Sequence, residues 1–290
     1  MKKFKILIPV YNDWQSLSKL LKNINIQIEN INHEISLIII DDASTFDRQL
    51  EIENLSNINS IKILSMRENK GHARCIAVGL KYIFEKEEFD YVIPMDGDGE
   101  DRPEEIIEFI ESSENVPEQT IVGERVKRSE AFIFKFCYFF HKIITLVFTG
   151  HSIKFGNFTC LAKSTVEKMI NEKATWNSFS GALTKVENNN ISIPSIRGER
   201  YFGPSKMSFL NLVNHSFSII SVFKKAVLIR SALFIIIYIL MIKSNASIIT
   251  AIPLILLLVM IYVISSLALR ENMEELDKAL SNIKEIDKLK

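Results

Sequence analysis

Cysteine is scarce in this 290-residue chain, and the three present, Cys75, Cys137 and Cys160, lie far apart with no paired spacing. That argues against a disulfide framework and a cysteine zinc site and leaves the three as small buried hydrophobes. Net charge is also missing, since 35 Lys and Arg balance 35 Asp and Glu. Global electrostatics therefore give no case for nucleic acid, and none is expected as a partner. A glycine-rich dinucleotide fingerprint is absent after the first apolar run, which argues against a nicotinamide or flavin site. The opening Met1-Lys-Lys-Phe-Lys5 has neither a long apolar region nor a small-residue cleavage site, so no signal peptide is expected and the N-terminal domain should stay in the cytoplasm.

The length suits one catalytic domain plus an appendage. Short apolar runs at Phe4–Val10, Ile35–Ile40, Ile61–Ser65 and Tyr91–Met95 alternate with helical spacing at Trp14–Ile28 and Ala73–Glu85. Nearly unbroken apolar strands between amphipathic helices indicate a mostly parallel sheet covered on both faces. In such sheets ligands bind at the carboxyl ends of the strands. Those ends carry Tyr11-Asn-Asp13, Asp41-Asp42, Asn69-Lys70 and the acidic loop after Met95, so four polar strand ends would line one cleft.

That loop, Asp96-Gly-Asp-Gly-Glu-Asp-Arg-Pro103, places carboxylates at 96, 98, 100 and 101 between glycines that permit tight turns. Converging carboxylate oxygens suit a hard divalent cation, Mg2+ or Mn2+. The alternative is a solvated acidic turn capping the helix that begins near Pro103. A second loop, Arg197-Gly-Glu-Arg-Tyr-Phe-Gly-Pro-Ser-Lys206, is basic and could fold over an anion or remain a solvated turn.

Hydrophobic residues are concentrated toward the C-terminus. Ala131–Thr149 is apolar on almost every side, broken by Lys135, His141 and Lys142, and reads either as a helix in the membrane interface or as a buried core helix. From Met207 an amphipathic helix is expected, followed by apolar stretches at Ala226–Ile242 and Ile248–Leu269, long enough as a pair to form a transmembrane hairpin across a core of ~30 Å. Lys224, Lys225 and Arg230 precede the hairpin and Arg270 follows it, which places both termini in the cytoplasm. The tail Glu271–Lys290 reads as a charged helix with Met273, Leu276, Leu280 and Ile283 on one face, packed on a partner or lying on the bilayer. The expected units are therefore residues 1–206, 207–225, 226–269 and 270–290.

The motifs Ile8-Pro-Val-Tyr-Asn-Asp13, Ile40-Asp-Asp-Ala-Ser44, Asn69-Lys-Gly71, Met95–Pro103 and Arg197–Lys206, in this order, resemble the GT-A glycosyltransferases of family two. The resemblance is to the polyprenyl-phosphate branch, which includes dolichol-phosphate mannose synthases and bacterial undecaprenyl-phosphate sugar transferases, and it covers almost the whole chain. It implies a Rossmann-like GT-A sheet, a nucleotide-sugar donor and a polyprenyl-phosphate acceptor at the inner membrane. It implies that Pro9, Tyr11, Asp13 and Asp42, with Asn69 and Lys70, hold the donor nucleotide, that Asp96 lies against the sugar, and that Asp98 and Glu100 ligate the metal. Three positions depart from the family pattern: Asp13 stands for Glu, Glu100 for Gln, and Asn157 for an Asp in Gly-Asp-Phe.

An acceptor phosphate is largely dianionic at neutral pH, so it needs cationic positioning more than a strong base. Arg125, Arg128 and Lys135 are candidates near the membrane face, and Arg197, Arg200, Ser205 and Lys206 in the late loop, with Arg200 also set among the catalytic residues. In-line attack would invert the anomeric centre. Two rivals are transfer to a hydroxyl and a non-catalytic membrane scaffold. No Glu-Asp or Asp-Asp pair follows the Asp96 loop and no Gln-x-x-Arg-Trp is present, which disfavours the first; intact Asp98 and Glu100 disfavour the second. Sugar, nucleotide and homo-oligomerisation stay open.

Overall fold

The computed structural model describes residues 1–127, 132–204 and 208–290. In chain order the elements are β1 (Lys3–Val10), α1 (Trp14–Gln27), β2 (Glu34–Asp41), β3 (Ser60–Met66), α2 (His72–Lys86), β4 (Tyr91–Pro94), α3 (Glu105–Asn115), β5 (Ile121–Lys127), α4 (Phe132–Thr149), β6 (Phe155–Ala162), α5 (Lys163–Ile170), α6 (Phe179–Val186), β7 (Ile191–Ile196), α7 (Phe209–Ser221), α8 (Lys224–Ile242), α9 (Ile248–Ala268), α10 (Met273–Asp277) and β8 (Ile283–Lys288). The strands form one sheet in the order β7-β5-β6-β4-β1-β2-β3-β8.

β1, β2, β3 and β4 run parallel, as expected from their apolar runs. Alternate side chains of β1 and β2 feed opposite layers. Ile6, Ile8, Leu37 and Ile39 pack with Leu17, Leu21 and Ile24 of α1 and with Phe109 of α3. Leu7, Ile38 and Ile40 pack with Ala77, Leu80 and Ile83 of α2. Because each strand is buried on both faces, polarity is tolerated only at its ends, and that gathers the polar loops at one edge. β6 is antiparallel to both β4 and β5, and β7 is parallel to β5, so the sheet is mixed although mostly parallel.

The tail corrects the expectation of a charged helix. After the five-residue α10 and a short 3-10 turn, Ile283–Lys288 pairs antiparallel with β3 and closes the sheet edge. Leu276 is fully buried against the α2 layer, Trp176 Nε1 donates to Glu275 at 2.7 Å, and Lys290 Nζ donates to the Leu55 carbonyl at 2.6 Å. Pairing covers the otherwise open edge of β3 and lets Leu276 bury against the α2 layer, which a helix standing off in solvent would not do, so the charged segment becomes a strand.

α8 and α9 are apolar on every face yet mostly exposed, with Ile229, Leu233, Ile237, Leu256, Leu258 and Tyr262 among the outward residues. Both are long and apolar enough to cross a membrane. Among the described side chains of α4, Phe140, Ile143, Leu146 and Val147 are exposed, whereas Thr145 and Thr149 are buried. Its C-terminus closes on Gly150 at φ +84°, whose amide donates to the Leu146 carbonyl at 2.9 Å. Arg230 of α8 lies where a Cβ at Gly150 would stand and donates to the Val147 carbonyl at 2.9 Å. A guanidinium thus caps the negative end of α4 and ties it to the first long apolar helix.

Candidate active site

The cleft is built at the carboxyl ends of β1, β2, β3 and β4. Asp13 occupies the N-cap position of α1, but its side chain does not cap the helix. It pairs with Arg200 Nη2 at 2.8 Å, while Arg200 Nη1 pairs with Asp98. One guanidinium, only 14% exposed, therefore bridges the first strand's loop and the acidic loop. Arg197 pairs with Glu100, and the two loops are laced together by Gly198 N to Glu100 O at 2.8 Å and Tyr201 N to Asp98 O at 2.9 Å. Gly99 has φ +91°, and a Cβ there would stand 2.6 Å from the Tyr201 ring, so glycine is required on both counts. Tyr201 Oη accepts from Asn23 at 2.8 Å, with Lys19 Nζ 4.7 Å from the ring centroid.

The basic loop is thus a roof over the acidic one. In this arrangement Arg197 and Arg200, assigned from sequence to phosphate, face carboxylates. Arg128, Ser205, Lys206 and the side chain of Lys135 lie outside the described residues. Arg125 sits in β5 with Nη2 3.9 Å from Asp101 Oδ1. The structure therefore gathers Asp13, Asp96, Asp98, Glu100, Arg125, Arg197 and Arg200 at one place.

The other sequence-assigned residues stand in the surrounding frame. Asp42 is buried, and its carboxylate accepts from Lys70 N at 2.7 Å and Gly71 N at 2.9 Å. Asn69 donates to the Asp42 carbonyl at 3.2 Å, and Lys70 Nζ pairs with Glu68 at 2.5 Å. Asp42 thus shapes the β3–α2 loop. Pro9 is buried in β1, and Tyr11 is 44% exposed at its end. A cavity of about 490 Å3 opens beside Asp13, between Trp14 and the Thr45–Gln49 loop.

Two residues that the motifs left without a role stand at the centre. Asp101 is buried, and its Oδ2 accepts from Asp96 N at 2.9 Å. Burial and the charge of Asp96 push its pKa up to about 7, against the pull of Arg125. His72 opens α2 with Nε2 3.2 Å from Asp96 Oδ1 and 2.8 Å from the side-chain nitrogen of Asn157. Burial works to raise the Asp96 pKa, but His72, Arg125 and Arg197 outweigh it and hold the carboxyl well below the usual range. Asp98 is raised by burial and by Asp96. Paired carboxylates with pKa values driven apart are a mark of a chemical site. The only sequence signal for Asp101 was its place in the acidic run, and for His72 its place at a helix start below a strand end.

Comparison with known proteins places the chain in a family and a fold. The family model for glycosyl transferase family 2 matches residues 5–157, just over half of the chain. Among curated proteins, an undecaprenyl-phosphate 4-deoxy-4-formamido-L-arabinose transferase from Proteus mirabilis is 26% identical over 226 residues, 76% of this chain and 67% of its own. Among solved structures, a glucosyl-3-phosphoglycerate synthase from Mycobacterium tuberculosis in complex with Mn2+, UDP and its product aligns with TM-score 0.54 at 13% identity, over 78% of this chain and 80% of its own. A mannosyltransferase from Pyrobaculum calidifontis in complex with GDP-mannose and Mn2+ aligns with TM-score 0.52 at 13% identity, over 97% and 86%. The acidic loop on a GT-A sheet and the family match lead to one conclusion: the chain is a glycosyltransferase and belongs to glycosyl transferase family 2.

Proposed function

We propose that the protein transfers a sugar from a nucleotide sugar to a polyprenyl phosphate at a membrane surface, with inversion and with a divalent cation. The observation that carries this reading is the placement of the basic roof. Arg197 and Arg200 lie on the acidic loop, and the same segment runs on into α7 and the exposed apolar pair α8 and α9. A phosphate presented from a bilayer would meet guanidiniums there. The name of the Proteus mirabilis relative supports that acceptor class.

The donor set suits Mg2+ or Mn2+. Asp98 and Glu100 offer hard oxygen ligands on one side of the cleft. Among the described residues no three His, Cys, Asp or Glu side chains are gathered closely enough to hold an ion alone. That matches a cation held by one or two carboxylates and completed by substrate phosphates, as is common for Mg2+. Both solved relatives contain Mn2+. When bound, the cation supplies charge neutralisation for the departing nucleoside diphosphate.

The chain's own groups do the rest. Asp96 is held ionised against the sugar by its neighbours. Arg200 and Arg197, once a bound phosphate draws them from Asp13, Asp98 and Glu100, orient its oxygens through forked donors that a lysine cannot reproduce. A dianionic phosphate attacks without a strong base. Because β8 lies in the same sheet as β1, both ends of the α8–α9 hairpin return to the catalytic side of the membrane, which we assign to the cytoplasm from the Lys and Arg bias.

The test is to incubate the full-length protein in nanodiscs with a panel of UDP and GDP sugars, Mn2+, and either undecaprenyl phosphate or free undecaprenol. Lipid products are then read by mass spectrometry. A glycosylated lipid phosphate is expected from one donor. Equal transfer to the free alcohol, or no lipid product from any donor, overturns the acceptor assignment.

A further inference from the structure

The backbone before His72 is fixed, because the Asp42 carboxylate holds the amides of Lys70 and Gly71. His72 therefore enters the cleft from an anchored helix start. Its Nε2 lies 3.2 Å from Asp96 Oδ1 and 2.8 Å from the Asn157 side-chain amide, on β6 across the cleft. Asp96 is itself anchored at its backbone amide by Asp101. Its Oδ1 makes no hydrogen bond of good geometry to any described group, so the contact with His72 is an ion-pair approach at 3.2 Å and not an aligned hydrogen bond.

The chemistry assigns the protons. An ionised carboxylate can only accept, so a hydrogen bond from His72 to Asp96 requires hydrogen on Nε2. Asn157 must then present its oxygen to the same N–H, with the amide turned relative to the placement that sets nitrogen against nitrogen. An aspartate at 157, as in the family pattern, would add a second negative charge to that one N–H and compete with Asp96 for it. Asparagine steers the ring without competing as strongly.

We propose that His72 is a positioning residue for Asp96, its Nε2–H steered by Asn157 so that the carboxylate is held in the orientation the donor sugar meets. This rests on the sugar-transfer reading for its kinetic arm only. His72→Ala should lower kcat roughly tenfold to a hundredfold and leave the KM for the donor found in the panel within threefold, in protein that stays folded at the assay temperature. His72→Gln, whose amide N–H reaches a similar place, should recover most of the loss. Asn157→Asp should lower kcat. A rise in KM at unchanged kcat, wild-type rates for His72→Ala, or faster turnover by Asn157→Asp overturns the assignment.

A second arm needs no turnover. In 15N-histidine-labelled full-length protein, the His72 resonances, assigned by their loss in His72→Gln, should show hydrogen held on Nε2. Asp96→Asn should shift them by several ppm at constant pH. If Asp96→Asn leaves them unmoved, the proposal fails even where sugar transfer is confirmed. If they move and no donor is turned over, only the function reading fails.

Discussion

Asp98→Asn separates what the acidic loop does for the fold from what it does for the reaction. In the present arrangement Asp98 Oδ1 accepts from the Glu100 amide at 3.0 Å and Oδ2 accepts from Arg200. Burial, then Asp96, push its pKa up, against the pull of the Glu100 amide and Arg200. The amide has almost the same shape and keeps one acceptor. It loses one charge-assisted hydrogen bond, about 1.5–3 kcal/mol. It also removes repulsion from Asp96, the larger like-charge effect, which is of comparable size, about 3 kcal/mol for a pair ~6 Å apart at an effective dielectric of ~20. The two effects oppose, so stability should change by no more than about 1–2 kcal/mol, or a Tm shift of roughly 2–8 °C in either direction. Turnover has no such compensation and should fall at least about a hundredfold, ~2.7 kcal/mol in the barrier. Intrinsic-fluorescence melting and mass-spectrometric product formation on one preparation measure both. Wild-type turnover at unchanged Tm refutes a role in the reaction. A Tm drop well beyond ~8 °C that accounts for the lost activity refutes the separation of the two roles.

Three further outcomes follow from the fold. Leu276→Ala, a fully buried position in the returning tail, should cost about 2–5 kcal/mol and lower the melting point of the catalytic domain, whereas a tail independent of that domain would leave it unchanged. Glu87 accepts from Lys62 and Lys5; burial opposes its ionisation, but those bonds outweigh it and depress the folded pKa below the ordinary 4.5. Its stabilisation is therefore full above pH 4.5 and lost as pH falls through the folded value, so Glu87→Gln should flatten the acid limb of a pH–stability curve and cost about 3–5 kcal/mol at pH 7. Cysteines placed at the exposed Asn245 and Lys284 should differ in intact cells, with only Asn245→Cys reacting with a membrane-impermeant thiol reagent; the reverse pattern would overturn the assigned topology.

The strands of the parallel core were legible because burial on both faces leaves short apolar runs ended by polar residues, unlike the long apolar stretches nearer the C-terminus. Lys3–Val10 and Glu34–Asp41 each have seven of eight residues buried. The loops at their ends were legible for the complementary reason, since polarity in such a strand is confined to the termini. The last strand was hidden. Ile283–Lys288 is charged and helix-prone, and its pairing is decided by the free edge of β3, more than 200 residues earlier in the chain. α6, with Ser180 and Gly181 in its first turn, carries too weak a pattern to stand out. At the site, the acidic and basic loops were identified separately, but their contact was not. Asp13, Asp98 and Arg200 meet only because β1, β4 and the segment after β7 end at the same edge, and no local spacing encodes that. His72 was invisible as a site residue because its partners, Asp96 and Asn157, are brought to it by β4 and β6.

The contact between the loops bears on what metal removal should do. Asp13, Asp96, Asp98 and Glu100 face Arg125, Arg197, Arg200 and His72, while Asp101 holds its proton up to about pH 7. His72 is drawn toward its charged form, because Asp96 outweighs the opposing effect of burial. Acid and base are therefore balanced within the protein itself, and the acidic loop needs no cation to fold. This differs from sites whose binding energy is folding energy. Treatment with EDTA should leave the melting temperature within about 2 °C, because no uncompensated carboxylate cluster is uncovered. Adding Mn2+ with UDP at ~100 times the dissociation constant should then stabilise by about 2.7 kcal/mol, through binding to the native state. Mn2+ alone should do much less, since Asp98 and Glu100 are engaged by guanidiniums until phosphate offers those cations another partner. If EDTA unfolds the protein, or if Mn2+ alone stabilises it as much as Mn2+ with UDP, the arginines do not balance the acidic loop in the way their placement indicates.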